Sequence, residues 1–139
     1  MPIELDDICF NKAAIIERSL RRVKEEYQFD PQLKSFTHID ALILNVERAC
    51  QATIDMAIHI IAVHHFGIPQ NSGDSFSLLL RNNIITEITA RQMISMTGFR
   101  NVAIHEYQSL DMAVVHHIAR EGWQSMVSYC RELGVKIEP

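Results

Sequence analysis

No segment of this 139-residue chain is long and apolar enough to suggest a membrane span. Its most apolar stretch, Ile54 to Phe66, is broken by Asp55, His59, His64 and His65 and falls short of the roughly 20 residues a bilayer requires. The amino terminus reads Met1-Pro2-Ile3-Glu4-Leu5-Asp6-Asp7, acidic where a secretory leader would be basic and then apolar. Cysteine is sparse: Cys9, Cys50 and Cys130 form no CxxC pair, and each falls within a helical apolar pattern. An odd, scattered set suits reduced core thiols better than a disulfide framework. A soluble, cytoplasmic protein is expected. Nor is there an excess of basic charge. The formal charge is −4, so bulk attraction does not draw the protein onto nucleic acid, and any RNA contact must be local. Residues 1–74 carry seven Lys and Arg against eleven Asp and Glu, whereas residues 75–139 carry six of each. β alternation, internal repeats and low-complexity tracts are also missing.

Helical periodicity is what the chain does have. Leu5, Ile8, Cys9, Ile15, Ile16, Leu20, Val23 and Tyr27 recur every three to four residues, with Arg18, Arg21, Arg22, Lys24 and Glu25 on the other side. This first helix should stop at Phe29-Asp30-Pro31. Thr37 is expected to cap a second helix reaching Phe66, ended by Gly67 and Pro69. That helix has a stripe of Ile39, Leu42, Ile43, Val46, Cys50, Ala57 and Ile60, with Leu44, Ile54, Met56 and Ile58 off it. It is therefore either central to a bundle or buried on a second face against another copy of the chain. After the turn cluster Asn71-Ser72-Gly73-Asp74, a short third helix is expected from Ser75 to Asn82. Thr86 should cap a fourth, with Ile88, Met96, Phe99 and Ala103 on its buried side. A fifth is expected from Leu110 to Leu133, ended by Gly134. The fold expected is all-α, an antiparallel bundle of four to five helices in one domain over 1–139, pairing as a symmetric homodimer.

Seven histidines are the first candidates for chemistry. His59, His64 and His65 lack the i, i+4 spacing that brings two imidazoles to one metal, which favours capping and surface roles; no metal and no cofactor is expected. His116 and His117 diverge by about 100° on a helix, so one should be buried and one wet. His38, beside Thr37, is expected at the surface. His105 stands apart, with Arg100 five residues before it, Asn101 four before it and Tyr107 two after. With nine arginines and seven histidines, such an Arg-x4-His pair arises by chance about half the time. Its context raises its weight. Gly98 lies inside a helical run at a cost of roughly 1 kcal/mol relative to alanine, which a close approach by another backbone or a ligand would explain. Arg100, Asn101, His105 and Tyr107 lie off the Met96, Phe99, Ala103 stripe and are expected to face away from the core. Arg100 and His105 are about 140° apart on an ideal helix, so a two-fold pairing could bring one chain's arginine to the other's histidine.

The string Met96-Thr97-Gly98-Phe99-Arg100-Asn101-Val102-Ala103-Ile104-His105-Glu106-Tyr107 resembles the signature of the HEPN superfamily. With its trailing tyrosine it is similar to the HepT toxin branch, whose pattern is Arg-x4-His-x-Tyr. The likeness extends to the long second helix, Asp40-Ala41-Leu42-Ile43-Leu44-Asn45-Val46-Glu47-Arg48-Ala49-Cys50, and to the five-helix layout. It implies a ribonuclease toxin with Arg100 and His105 catalytic and Asn101 as the supporting polar residue. It also implies that Tyr107 is the residue to which an MNT-type nucleotidyltransferase antitoxin transfers AMP; the ATP and Mg would belong to that partner. The chemistry is compatible: histidine titrates near neutrality and arginine offers phosphate a fixed bidentate fork. AMP on Tyr107 would repel an incoming RNA phosphate. Two other readings remain open, a non-catalytic docking subunit for a nucleotidyltransferase and a plain helical dimerisation protein.

Overall fold

The computed structural model describes residues 3–139, and among them are six α-helices and no strand. α1 spans Asp7–Phe29 and α2 spans Phe36–His64. Asp6 begins α1 by accepting the Cys9 N–H, satisfying one of the orphan donors of the first turn. Asp30 organises the turn that follows, accepting the N–H groups of Lys34 and Ser35; these two bonds hold its carboxyl below the usual range. Contacts at three levels make the helix pair antiparallel: Asp6 with His59, Lys12 with Asp55, and Glu26 with His38.

α2 proves to be central. Its buried residues surround the helix, from Ile39, Leu42 and Val46 to Ile54, Met56 and Ile61, and α1, α3 and α4 all pack on it. Phe36 at its start, then Leu44, Ile58 and Val63, are the large apolar side chains it leaves outside. The position before its first turn is Ser35, without a side-chain cap bond, so the expected Thr37 cap lies inside the helix. The helix ends with His65 in the left-handed region, two residues before Gly67. His38 is no free surface residue: its ring Nδ1 lies 2.5 Å from the accepting carboxylate of the buried Glu26, and the ring stacks on Phe29.

α3, Ser72–Arg81, begins earlier than expected because Asn71 caps it by accepting the Asp74 N–H, which makes the turn cluster its first turn. α4, Glu87–His105, is capped by Thr86 as expected. Met96, Phe99 and Ala103 are buried, but Ile88 is 71% exposed, displaced by Thr89, Ala90 and Met93 as the inward residues of the first turns. The expected fifth helix is divided. A 3₁₀ turn at Tyr107–Ser109 precedes α5, Met112–His117, which Asp111 caps; a π turn over Ile118–Gly122 follows, then α6, Gln124–Leu133, ended by Gly134 at φ 112°. The Trp123 N–H reaches the Ile118 carbonyl at 3.0 Å, one residue further back than an α-helix allows. Gly122 weakens the helix there, and the wider turn carries the Trp123 ring to α1, where Lys24 lies 4.5 Å from its centroid.

The buried apolar residues of all six helices form one cluster. Tyr129 locks α6 to α2: it is fully buried, packs edge-on against Phe76, and donates its hydroxyl to the Thr53 carbonyl at 2.9 Å. Glu132 fastens the same helix to the start of α4, accepting from the Thr86 N–H at 2.7 Å and from the Thr89 hydroxyl at 2.5 Å. Tyr129→Phe keeps the packing and removes one buried hydrogen bond. It should lower unfolding free energy by about 1 kcal/mol, read as a shifted urea midpoint at unchanged m value.

Candidate active site

The last two turns of α4 and the 3₁₀ turn after it carry every residue singled out from the sequence. They do not share one face. Met93, Met96 and Arg100 point toward α2, whereas Gly98, Asn101 and His105 lie on the opposite, open side. The expectation that all four polar residues face away from the core therefore fails for Arg100. Five residues turn an α-helix through about 500°, leaving 140° between Arg100 and His105, so when one side chain is open the other turns inward.

Arg100 is half-buried, and its charge is felt by two groups of α2. Burial pushes the Glu47 carboxyl up, and Arg100 opposes that shift; the fully buried Cys50 thiol is raised to about 12 by burial, again opposed by Arg100. One guanidinium nitrogen donates to the Asn101 side-chain oxygen at 3.0 Å. Its Nε is buried with no partner, the sole such side-chain atom among the described residues. An unpaired buried donor costs roughly 1–3 kcal/mol, and such an atom calls for an explanation outside the fold. Among the described residues no carboxylate forms an ion pair with Arg100, and no hydrogen bond links it to His105, which is exposed at the helix end.

Tyr107 turns back across the bundle and donates its hydroxyl to Asp40 in the first turns of α2. Desolvation of the hydroxyl, then the bond to Asp40 and the charges of Asp40 and Glu47, raise the phenol to about 12, although the residue as a whole is 43% exposed. Asp40 and Glu47 are the site residues that sequence reasoning did not single out. Their spacing of seven on α2 puts them on one face, but nothing local shows that α4 returns along it.

Gly98 needs no room within this chain, because a Cβ there would meet nothing within 4 Å. It borders a shallow groove with Ser95, Val102, Leu110 and Val114, and Ile94 and Ile104 are exposed nearby. Elsewhere, Asp6, Cys9 and His59 place donor atoms within 4.8 Å of one another, the one such group among the described residues. It acts as a structural tie. His59 and the Cys9 N–H hold the Asp6 carboxyl down at about 2, while burial pushes the Cys9 thiol up to about 11. Of the adjacent histidines, His116 is half-buried against the Tyr27 hydroxyl at 2.9 Å and His117 is exposed, as expected.

Residues 16–133 match the family model described as ribonuclease HepT-like. The chain belongs to the HepT-like ribonuclease family. It is 43% identical over 117 residues to the mRNA nuclease HepT of Shewanella oneidensis, across 84% of this chain and 88% of that protein. It is 27% identical over 121 residues to the tRNA nuclease HepT of Aphanizomenon flos-aquae, across 86% and 82%. Among solved structures, the tri-AMPylated Shewanella oneidensis HEPN toxin in complex with MNT antitoxin superposes with a TM-score of 0.88 at 38% identity, covering 93% of this chain and 98% of that one. A toxin–antitoxin crystal structure with AMP-PNP gives a TM-score of 0.88 at 36% identity, covering 92% and 98%. The activity of this HepT-like chain is that of an endoribonuclease. Among the described residues no helix is long and apolar enough to cross a membrane.

The Tyr107–Asp40 contact has a direct spectroscopic check. Because the fold holds the neutral phenol, the contact is fully present below about pH 10 and is lost as pH rises through about 12. In tyrosine ring-carbon NMR, Tyr107 should show no ionisation near pH 10. Asp40→Asn should bring its onset down toward the ordinary tyrosine value.

Proposed function

We propose that this chain is the toxin of a toxin–antitoxin pair, cleaving RNA without a metal ion at a site built from Arg100 and His105. The observation that carries the proposal is the state of Arg100: a half-buried cation with no carboxylate partner among the described residues and a buried Nε left unpaired, on the helix that ends in the exposed His105. A guanidinium held in this way is available to phosphate.

The cleavage is attack by the RNA 2′-hydroxyl on the adjacent phosphorus. A proton leaves the 2′-oxygen, the 5′-oxygen departs with a proton, and a 2′,3′-cyclic phosphate remains. His105 is the group for proton transfer, Arg100 stabilises the charge gathering on the phosphoryl oxygens, and Asn101 holds Arg100 by the 3.0 Å hydrogen bond. Relatives named for mRNA and for tRNA cleavage show that membership alone does not select the RNA.

A homodimer accounts for the rest of the geometry. The open face of α4 sets Ile94, Gly98, Asn101 and His105 at the spacings 4, 3 and 4, the pattern of a helix–helix seam. A second copy approaching at Gly98 would place its own arginine and histidine across the cleft. The partner enzyme is an MNT-type nucleotidyltransferase, by likeness to the toxin solved with one, and Tyr107 is the residue that receives AMP. That phosphodiester would stand two residues from His105 and repel RNA.

His105→Ala should reduce RNA cleavage by at least about 10²-fold, and wild-type cleavage should survive EDTA. Full cleavage by a clean preparation of the variant would overturn His105 as the group for proton transfer.

A further inference from the structure

We propose that Asp40 is the general base for adenylylation of Tyr107, so that the toxin supplies part of the catalytic machinery for its own silencing. This rests on Tyr107 being the AMP acceptor.

The contact that motivates it is the hydrogen bond from the Tyr107 hydroxyl to Oδ1 of Asp40, made across 67 residues of sequence. Tyr107 has no role in the core: the residue is exposed, belongs to a three-residue 3₁₀ turn with no buried member, and makes its one side-chain hydrogen bond to this carboxylate. Asp40 is equally uncommitted. It caps no helix, pairs with no cation, and has the tyrosine hydroxyl as its only side-chain hydrogen-bond partner among the described residues. Two exposed side chains with no other occupation meet at the atom that must react.

The chemistry requires such a partner. An ordinary phenol is mostly protonated at neutral pH, and this one is raised further, chiefly by desolvation and then by Asp40. In the transfer, the Tyr107 oxygen attacks the α-phosphorus of ATP held by the nucleotidyltransferase. The new phosphorus–oxygen bond forms as the bond to the bridging oxygen breaks, pyrophosphate leaves, and the phenolic proton passes to Asp40, which later releases it to water. A carboxylate accepting a hydroxyl proton during attack on a nucleotide phosphorus is an established device in phosphoryl transfer. Product formation also abolishes the contact. The modified oxygen has no proton to donate, and its phosphodiester is repelled by Asp40 and by Glu47. Adenylylation should therefore drive the side chain away from α2.

The test is single-turnover adenylylation by the cognate nucleotidyltransferase with ATP and Mg, read by intact mass, on wild type, Asp40→Asn, Asp40→Glu and Tyr107→Phe, all checked for folding by circular dichroism. Asp40→Asn should slow AMP transfer by about 10²-fold or more with ATP KM unchanged, and its rate should climb about tenfold per pH unit where wild type is flat. Asp40→Glu should recover part of the rate. Transfer to Asp40→Asn at the wild-type rate, or faster, would overturn the base and make the contact a mere restraint on the phenol. AMP persisting on Tyr107→Phe, or absent from wild type, would instead overturn Tyr107 as acceptor, and the base with it.

Discussion

The pitch of the α-helix is the constraint on which this site depends. Arg100 and His105 are five residues apart on α4, and a rise of 1.5 Å with 100° of rotation per residue separates their directions by about 140°. Packing then decides which of them turns inward. Met93, Met96 and Ala103 bind α4 to the bundle, and Arg100 falls among them, so the guanidinium is drawn toward α2 while the imidazole is left at the open end. A strong cation is thus placed in a partly desolvated position, where its field is less screened than in water, and the imidazole keeps access to solvent.

α2 supplies the other half of that arrangement. Because it is buried on most sides, it orients α1 and α4 alike, and Asp40, Glu47 and Cys50 on it form the floor of the site. Asp40 meets Tyr107, Glu47 lies within the field of Arg100, and the Cys50 thiol contacts the Met96 carbonyl at 3.7 Å. The negative charge of this floor does not neutralise Arg100 through an ion pair. Instead it governs the tyrosine, whose hydroxyl is held by one carboxylate and whose modified form would be expelled by two. With the roles proposed for Arg100 and Tyr107, substrate binding and silencing would draw on the same small set of charges.

Much of the architecture could be read from apolar spacing. The caps at Asn71 and Thr86 and the stop at Gly134 use ordinary local chemistry, and Thr86 and Gly134 were legible as such. Where sequence reasoning failed, the deciding force was not local. Ile88 looks like a core residue but stands exposed, because the bundle claims Thr89, Ala90 and Met93 in its place. The π turn at Ile118–Gly122 reflects the pull of Trp123 toward α1, across nearly one hundred residues of sequence. The four motif residues were all legible on α4 and its end, but the inward turn of Arg100 was not, since it depends on which stripe the bundle claims. Asp40 was visible only as part of a family likeness, because its partner is 67 residues away.

The central claim is that the arginine of one chain works with the histidine of another. Mixing Arg100→Ala protein with His105→Ala protein and allowing subunits to exchange tests this directly, since each mixed dimer would hold one site with both residues intact. The account predicts that two inactive preparations regain about a quarter of wild-type RNA cleavage, half of the dimers being mixed and each carrying one working site of two. A mixture as inactive as its components would contradict it.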